Sequence, residues 1–275
     1  MRTVRSLPAH WREYVIEAWA LGMFMLSAAL ATALVEYPGS GLHEAIGSEA
    51  LRRVLIGVAM GATAIALIHS PWGKRSGAHM NPAVTLTFLA LRRMRAADAV
   101  GYVGAQFAGG LTGAALAFAL LGERFAAPPV SFVLTRPARG VALAFALEWL
   151  ISCVLMSVVL ALSVRPAAAR YTGLAAGVLV ATFIAFEAPY SGMSMNPARS
   201  FASAAVAGEW GDLWIYFVAP PLGMLTAALL HTLRRAARTG CAKLVHDDRQ
   251  RCIHCGHEPQ PAHDRLPSGG LTHGR

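Results

Sequence analysis

Two Asn-Pro-Ala triplets, Asn81-Pro82-Ala83 and Asn196-Pro197-Ala198, carry the most concentrated chemistry in the chain. Each belongs to a longer copy. The stretches from Ser76 to Thr85 and from Ser191 to Ser200 share Ser-Gly, two free positions, then Met-Asn-Pro-Ala. A lone triplet recurs by chance; this repeat, once in each half of an apolar chain, does not. Asn is a good N-cap, and Pro at the next position is pre-set for a first helical turn. Each copy therefore reads as a loop that turns abruptly into a helix. A helix N-terminus carries roughly half a positive charge, and an Asn amide donates hydrogen bonds. That chemistry suits a neutral, hydrogen-bonding solute and disfavours a cation. No nucleophile paired with a base is found, so no enzymatic activity is expected.

Other polar residues stand out against the apolar background. Glu17 and Glu148 lie within apolar runs, where an acid is expensive and is usually paired or functional. Both lie near the start of a run, so a place at the membrane surface is the other reading. Arg199 directly follows the second triplet. His79 lies in the first copy, either lining or bracing the path or serving only in packing. In the tail, Cys252-Ile-His-Cys255-Gly-His257 has metal-ligand spacing, with Cys241 and His246 upstream. A Cys-x-x-Cys hairpin plus Cys or His donors can complete a tetrahedral zinc site. The alternative is a disordered basic tail with incidental thiols. Cys153 falls inside an apolar run and reads as a small core residue.

The elements that must position these residues follow from composition. The 275-residue chain is 55% hydrophobic and only 14% charged, where a soluble domain is nearer 25% charged. Its mean hydropathy is +0.47. Apolar runs approach the ~20 residues needed to span a bilayer. Spans are expected at about 14–35, 51–69, 98–121, 141–164, 171–186 and 213–233. After Pro82 and after Pro197 the apolar stretch is too short to cross, and reads as a re-entrant half-helix. Gly101, Ala105, Gly109 and Gly113 line one helical face, as do Gly173 and Gly177, which allows close helix packing. No cleavable signal peptide is expected, because the first apolar run follows Arg2, Arg5 and Arg12 and lacks a small-residue cleavage site.

The pattern is span, span, half-helix, span, and then the same again. The triplets are 115 residues apart. An odd number of spans per half inserts the halves in opposite orientations, and paired short helices of this kind point to a site near the midplane. The net charge of +9 is read as topology, without a nucleic-acid partner. Arg2, Arg5, Arg12, Lys74, Arg75, Arg92, Arg93, Arg95, Arg165, Arg170 and the basic tail fall on one side. Only Arg52, Arg53, Arg124, Arg136 and Arg139 fall on the other. The excess predicts both termini in the cytoplasm. The expected division is an N-terminal segment 1–13, a channel unit 14–236 with halves about 14–121 and 140–236, and a Cys/His-containing tail 237–275.

On its two loop motifs, Ser76 to Thr85 and Met195 to Ser200, the chain resembles the aquaporin, or major intrinsic protein, family over about residues 12–236. The resemblance implies an all-α membrane protein with six transmembrane helices and two re-entrant half-helices in an inverted repeat. It implies passive flow of water and small neutral solutes, exclusion of ions and protons, and a homotetramer in the cell membrane. It implies no cofactor. Glu17 and Glu148 resemble the family's acids that hydrogen-bond the re-entrant loops, and His79 its first-loop His. Gln106 with Gly109-Gly110 resembles its small-residue pattern. Arg199 matches the Arg that anchors the selectivity filter. By spacing, the other filter positions are Ile184, Met193 and either Met60 or Gly61, depending on one inserted residue near Pro71-Trp72. These depart from the aromatic and His of water-selective members and from the aromatic wall of glycerol-conducting ones. Ser200, Ala204 and Tyr216 resemble water-channel members. The expectation is a water channel, with a broader neutral-solute facilitator as the alternative. An ion-coupled transporter would need more intramembrane charge than Glu17, Glu148 and Arg199 supply. A closed adhesion or scaffold protein would not need both Asn residues and Arg199. The resemblance says nothing about the tail.

Overall fold

The computed structural model describes residues 10–234 and 240–259; segments 1–9 and 260–275 and the junction at 235–239 lie outside the described residues. Residues 1–9 of the expected N-terminal segment, the expected boundary at 236/237 and the far end of the tail lie outside the described residues. The main helices among the described residues are α1 (Trp11–Glu36), α2 (Glu49–His69), the half-helix α3 (Pro82–Ala90), α4 (Ala96–Leu121), α5 (Val141–Ser163), α6 (Thr172–Phe186), the second half-helix α7 (Pro197–Ala207) and α8 (Leu213–Arg234). No strand occurs among the described residues.

Among the described residues five helices are long and apolar enough to cross a membrane: α1, α2, α4, α5 and α8. The expected fifth span is shorter, with α6 holding 15 residues. At 1.5 Å per residue that is about 22 Å. Pro189 lies three positions beyond its end and has no N–H to donate to the Ala185 carbonyl, so the chain breaks at Glu187 and restarts as the short turn Ala188–Ser191.

The packing is a pseudo-two-fold arrangement. α1 packs along α4 and its counterpart α5 along α8, while α2 packs against α6 across the two halves. Each half-helix crosses over: α3 lies against α8 and α7 against α4. The glycine seams explain how close the helices come. A Cβ on Gly109 would meet the Ala18 carbonyl oxygen at 2.0 Å, and one on Gly113 the Gly22 oxygen at 2.3 Å. In the other pair, a Cβ on Gly61 would meet the Gly177 oxygen at 2.5 Å. The helix exteriors keep large apolar side chains exposed, among them Leu34, Val58, Val100, Leu229 and Leu233, which is the pattern of a surface that faces lipid.

Candidate functional site

The two loop copies adopt one backbone conformation. Gly77 (φ 105°) and Gly192 (φ 84°) are left-handed, and so are Ala78 and Met80 in the first copy and Met193 and Met195 in the second. A non-glycine residue in that region costs about 1–3 kcal/mol and persists only where its surroundings enforce it. Here a buried acid enforces it. Glu17 accepts from Ser76 Oγ (2.7 Å), His79 N (3.0 Å) and Met80 N (2.6 Å), and also from Gln106 Nε2 (2.8 Å). Glu148 accepts from Ser191 Oγ (2.8 Å), Ser194 N (2.6 Å) and Met195 N (2.8 Å). Both acids are wholly buried inside the protein. Each serine also caps its own loop, accepting from Ala78 N or Met193 N at 3.1 Å.

Tyr102 and Tyr216 close the same arrangement from α4 and α8. Their hydroxyls donate to the carbonyls of Ser76 (2.6 Å) and Ser191 (2.5 Å). Nothing in the sequence marks Tyr102 by itself. Laying one half over the other at the 115-residue offset would have paired it with Tyr216 to within one position.

The two asparagines meet at the centre. Asn81 Oδ1 caps α3 by accepting from Ala83 N (2.8 Å), and Asn196 Oδ1 caps α7 by accepting from Ala198 N (3.1 Å). Asn81 Nδ2 donates to the Met195 carbonyl and Asn196 Nδ2 to the Met80 carbonyl, both at 2.7 Å. This crossed pair ties the two half-helices N-terminus to N-terminus. An amide nitrogen has two hydrogens, so each side chain keeps one hydrogen beyond the crossed bond. The Pro82-Ala83 and Pro197-Ala198 pairs form the buried first turns of α3 and α7.

A cavity of about 540 Å³ runs past this crossing. At one end Glu36, Arg52 and Val133 line it, and Arg52 Nε is paired with Glu36 at 2.9 Å. Next come Arg199, Met60, Ile184 and Met193, then Asn81 and Asn196, then His79, Ile68 and Leu244 at the other end. The cavity wall settles the alternative left by spacing: Met60 lines it, whereas Gly61 packs on α6. Arg199 is 9% exposed, and its Nη1 has no hydrogen-bond partner among the described residues. Met60, Ile184 and Met193 add apolar side chains to the same cavity wall.

His79 sits in the wall and also braces it. Its Nδ1 lies 3.0 Å from Thr85 Oγ1, and its ring stacks on Phe88. Its Nε2 donates to the carbonyl of Ala242 at 2.8 Å. That contact comes from the tail, which is folded against the protein over 240–259.

Of the five tail residues with ligand spacing, four converge. The donor atoms of Cys241, His246, Cys252 and Cys255 all lie within 4.8 Å of one another. His257 does not join them; its Nε2 donates to the Asp248 carbonyl instead (2.9 Å). The chain reverses at Gly256 (φ 75°) so that the His257 carbonyl caps Cys252 N, and the His257 ring stands edge-on to that of His246, 5.5 Å between centroids.

Helices of spanning length around two opposed half-helices define a polytopic membrane protein built as an inverted repeat. The family model of the major intrinsic proteins matches residues 4–231, and the chain belongs to that family. It is 34% identical over 212 residues to aquaporin NIP6-1 of Arabidopsis thaliana, covering 77% of this chain and 65% of that one. It is 41% identical over 164 residues to aquaporin NIP1-2 of Oryza sativa subsp. japonica, covering 58% and 54%. The chain thus spans less than two thirds of the length of these relatives. The fold is similar to that of the aquaglyceroporin from Plasmodium falciparum, with a TM-score of 0.64 at 20% identity over 81% of this chain and 96% of the other.

Proposed function

We propose that the chain is a passive transmembrane channel for water, passing small uncharged solutes as a second class and excluding ions and protons. The observation that carries this is the crossed Asn81–Asn196 pair at the middle of the cavity. Two helix N-termini converge there, so a cation meets unfavourable potential from both halves. A water that accepts from both free amide hydrogens directs its own hydrogens away along the path. No continuous proton relay then crosses the midpoint. Arg199 adds a fixed positive charge to the cavity wall, which disfavours a passing cation. Membership in a family of channels supports the reading, as do relatives named aquaporins.

The broader neutral-solute reading is favoured by one specific observation. Met60, Ile184 and Met193 line the same cavity as Arg199 and carry neither an aromatic ring nor an imidazole, and methionine side chains adapt to what passes. The distribution of Lys and Arg supports both termini on the cytoplasmic side of the cell membrane. The exposed apolar helix faces are available both to lipid and to neighbouring copies in a homotetramer. Arg199, Met193, Ile184 and Met60 would then form the selectivity filter of each subunit's own path.

Osmotic shrinkage of protein-loaded liposomes tests this. Shrinkage against an impermeant osmolyte should be faster than in empty liposomes, without current under an ion gradient. Re-swelling in glycerol or urea would show the broader selectivity. Shrinkage no faster than in empty liposomes would remove the water reading.

A further inference from the structure

The tail is the one feature that the path does not require, yet it is built into the path's end. Ala242, Leu244 and Val245 are buried in the same apolar cluster as Leu67, Ile68, Val159 and Leu160. Leu244 N donates to the Gly77 carbonyl (3.1 Å), and Lys243 Nζ to the Lys74 carbonyl (3.0 Å). His254 stacks over His79 and lies 3.2 Å from the Ser76 carbonyl. Leu244 itself forms part of the cavity wall. The pseudo-symmetry shows what this segment replaces. A Cβ on Gly192 would meet the backbone of Thr135 and Arg136, from the connection between the halves, whereas a Cβ on Gly77 would meet Ala242 and Lys243. The tail therefore occupies, at its own end, the place that the inter-half connection occupies at the other.

Segment 240–259 has no helix or strand and is far too short to build a core of its own, so a cross-link must hold its shape. The four clustered donors supply one. Cys241 Sγ and Cys252 Sγ are 3.4 Å apart, too long for the ~2.05 Å of a disulfide. Zinc–sulfur bonds of about 2.3 Å in a tetrahedron place sulfurs just under 4 Å apart, close to the spacing found. His246 Nε2 faces Cys255 Sγ at 3.3 Å, while its Nδ1 lies 2.8 Å from Asp248 Oδ1. A carboxylate on the far ring nitrogen is the usual way a metal-binding histidine is oriented. Three thiolates and one imidazole favour zinc.

We propose that Cys241, His246, Cys252 and Cys255 bind a structural Zn²⁺ ion, and that the metal-folded tail is a cap that narrows its end of the path. Site and cap belong together because metal binding to such a segment is also its folding. Loss of zinc would release Ala242, Lys243 and Leu244 from the Gly77–His79 loop. The narrowing rests on the channel reading above, whereas the metal site does not.

The test uses the full chain, purified under reducing conditions and reconstituted. Elemental analysis should find one zinc per chain, lost in Cys252→Ser and in Cys255→Ser. Hydrogen exchange should show the Leu244 amide protected with zinc and unprotected after chelation. Osmotic shrinkage should be severalfold faster after chelation, and likewise faster in Cys252→Ser. Absence of stoichiometric zinc, or a disulfide between Cys241 and Cys252, overturns the metal site. Bound zinc with Leu244 exchange or shrinkage rate unchanged on its removal overturns the cap. If liposomes bearing the full chain shrink no faster than empty ones both with zinc and after chelation, the channel reading fails instead, and zinc content and Leu244 exchange still decide the folded tail.

Discussion

Replacing Glu148 by Gln isolates the device that holds the second loop. The carboxylate receives three donors, from Ser191 Oγ, Ser194 N and Met195 N, on its two oxygens. A carboxamide keeps one acceptor oxygen and turns the other position into a donor. That NH₂ group must then face the N–H of Met195 or of Ser194. One charge-assisted bond is lost, and one buried backbone N–H is orphaned, which together cost about 2–4 kcal/mol. Hydrogen bonds between spanning helices average only about 0.6 kcal/mol, but here the penalty is set by an unpaired backbone group inside a strained loop. Glu17→Gln should cost about 1 kcal/mol less. Gln106 donates to Glu17 Oε2 while its own Oε1 has no partner, so a flip of the Gln106 amide presents an acceptor to the new NH₂. Among the described residues no side-chain amide hydrogen-bonds Glu148, whose partners are Ser191, Ser194 and Met195. Unfolding by graded SDS in mixed micelles should rank the parent above Glu17→Gln, and Glu17→Gln above Glu148→Gln. Shrinkage rates of liposomes should fall in the same order. A Glu148→Gln protein as stable as the parent, or a Glu17→Gln protein less stable than Glu148→Gln, would refute this account of the loops.

Further expectations follow from single contacts. Gly109→Val should abolish folded yield, because its Cβ would overlap the Ala18 backbone; Gly104→Ala, with nothing within 4 Å, should elute from size-exclusion chromatography like the parent. Met60→Phe should reduce glycerol or urea entry more than water flow, since Met60 is in the wall near Arg199; equal loss of both would argue against a filter there. Arg199→Val removes one fixed charge from the cavity wall and should raise proton or cation leak, read with a pH-sensitive dye inside liposomes. Asn196→Ala removes the donor to the Met80 carbonyl and the cap on α7; it should lower stability by about 1–2 kcal/mol, measured by the same SDS titration.

Much of the architecture was legible in the sequence. Apolar run length, the half-length runs after Pro82 and Pro197, and the 115-residue repeat give the helices and their inverted order, because a bilayer imposes length and internal hydrogen bonding on every span. The small-residue spacing on α4 marks the face that meets α1, since i and i+4 positions share a side. Both asparagines, Arg199 and the two acids stand out because polar groups are rare in such surroundings.

Other features exist only through contacts distant in sequence. Spacing left Met60 and Gly61 level; it is the close approach of α2 to α6 that turns Gly61 inward and Met60 to the path. The crossed bonds of Asn81 and Asn196 span more than a hundred residues, and no local pattern states which carbonyl an amide will reach. Of five candidate ligands in the tail, spacing could not reject His257, because the turn at Gly256 decides where its ring points. Nor could spacing show that the tail folds back on Gly77 and His79. The sequence alone determined which groups sit in an apolar wall, because the cost of burying them is local. Tertiary structure alone decided what they face, because that depends on helices brought together from opposite ends of the chain.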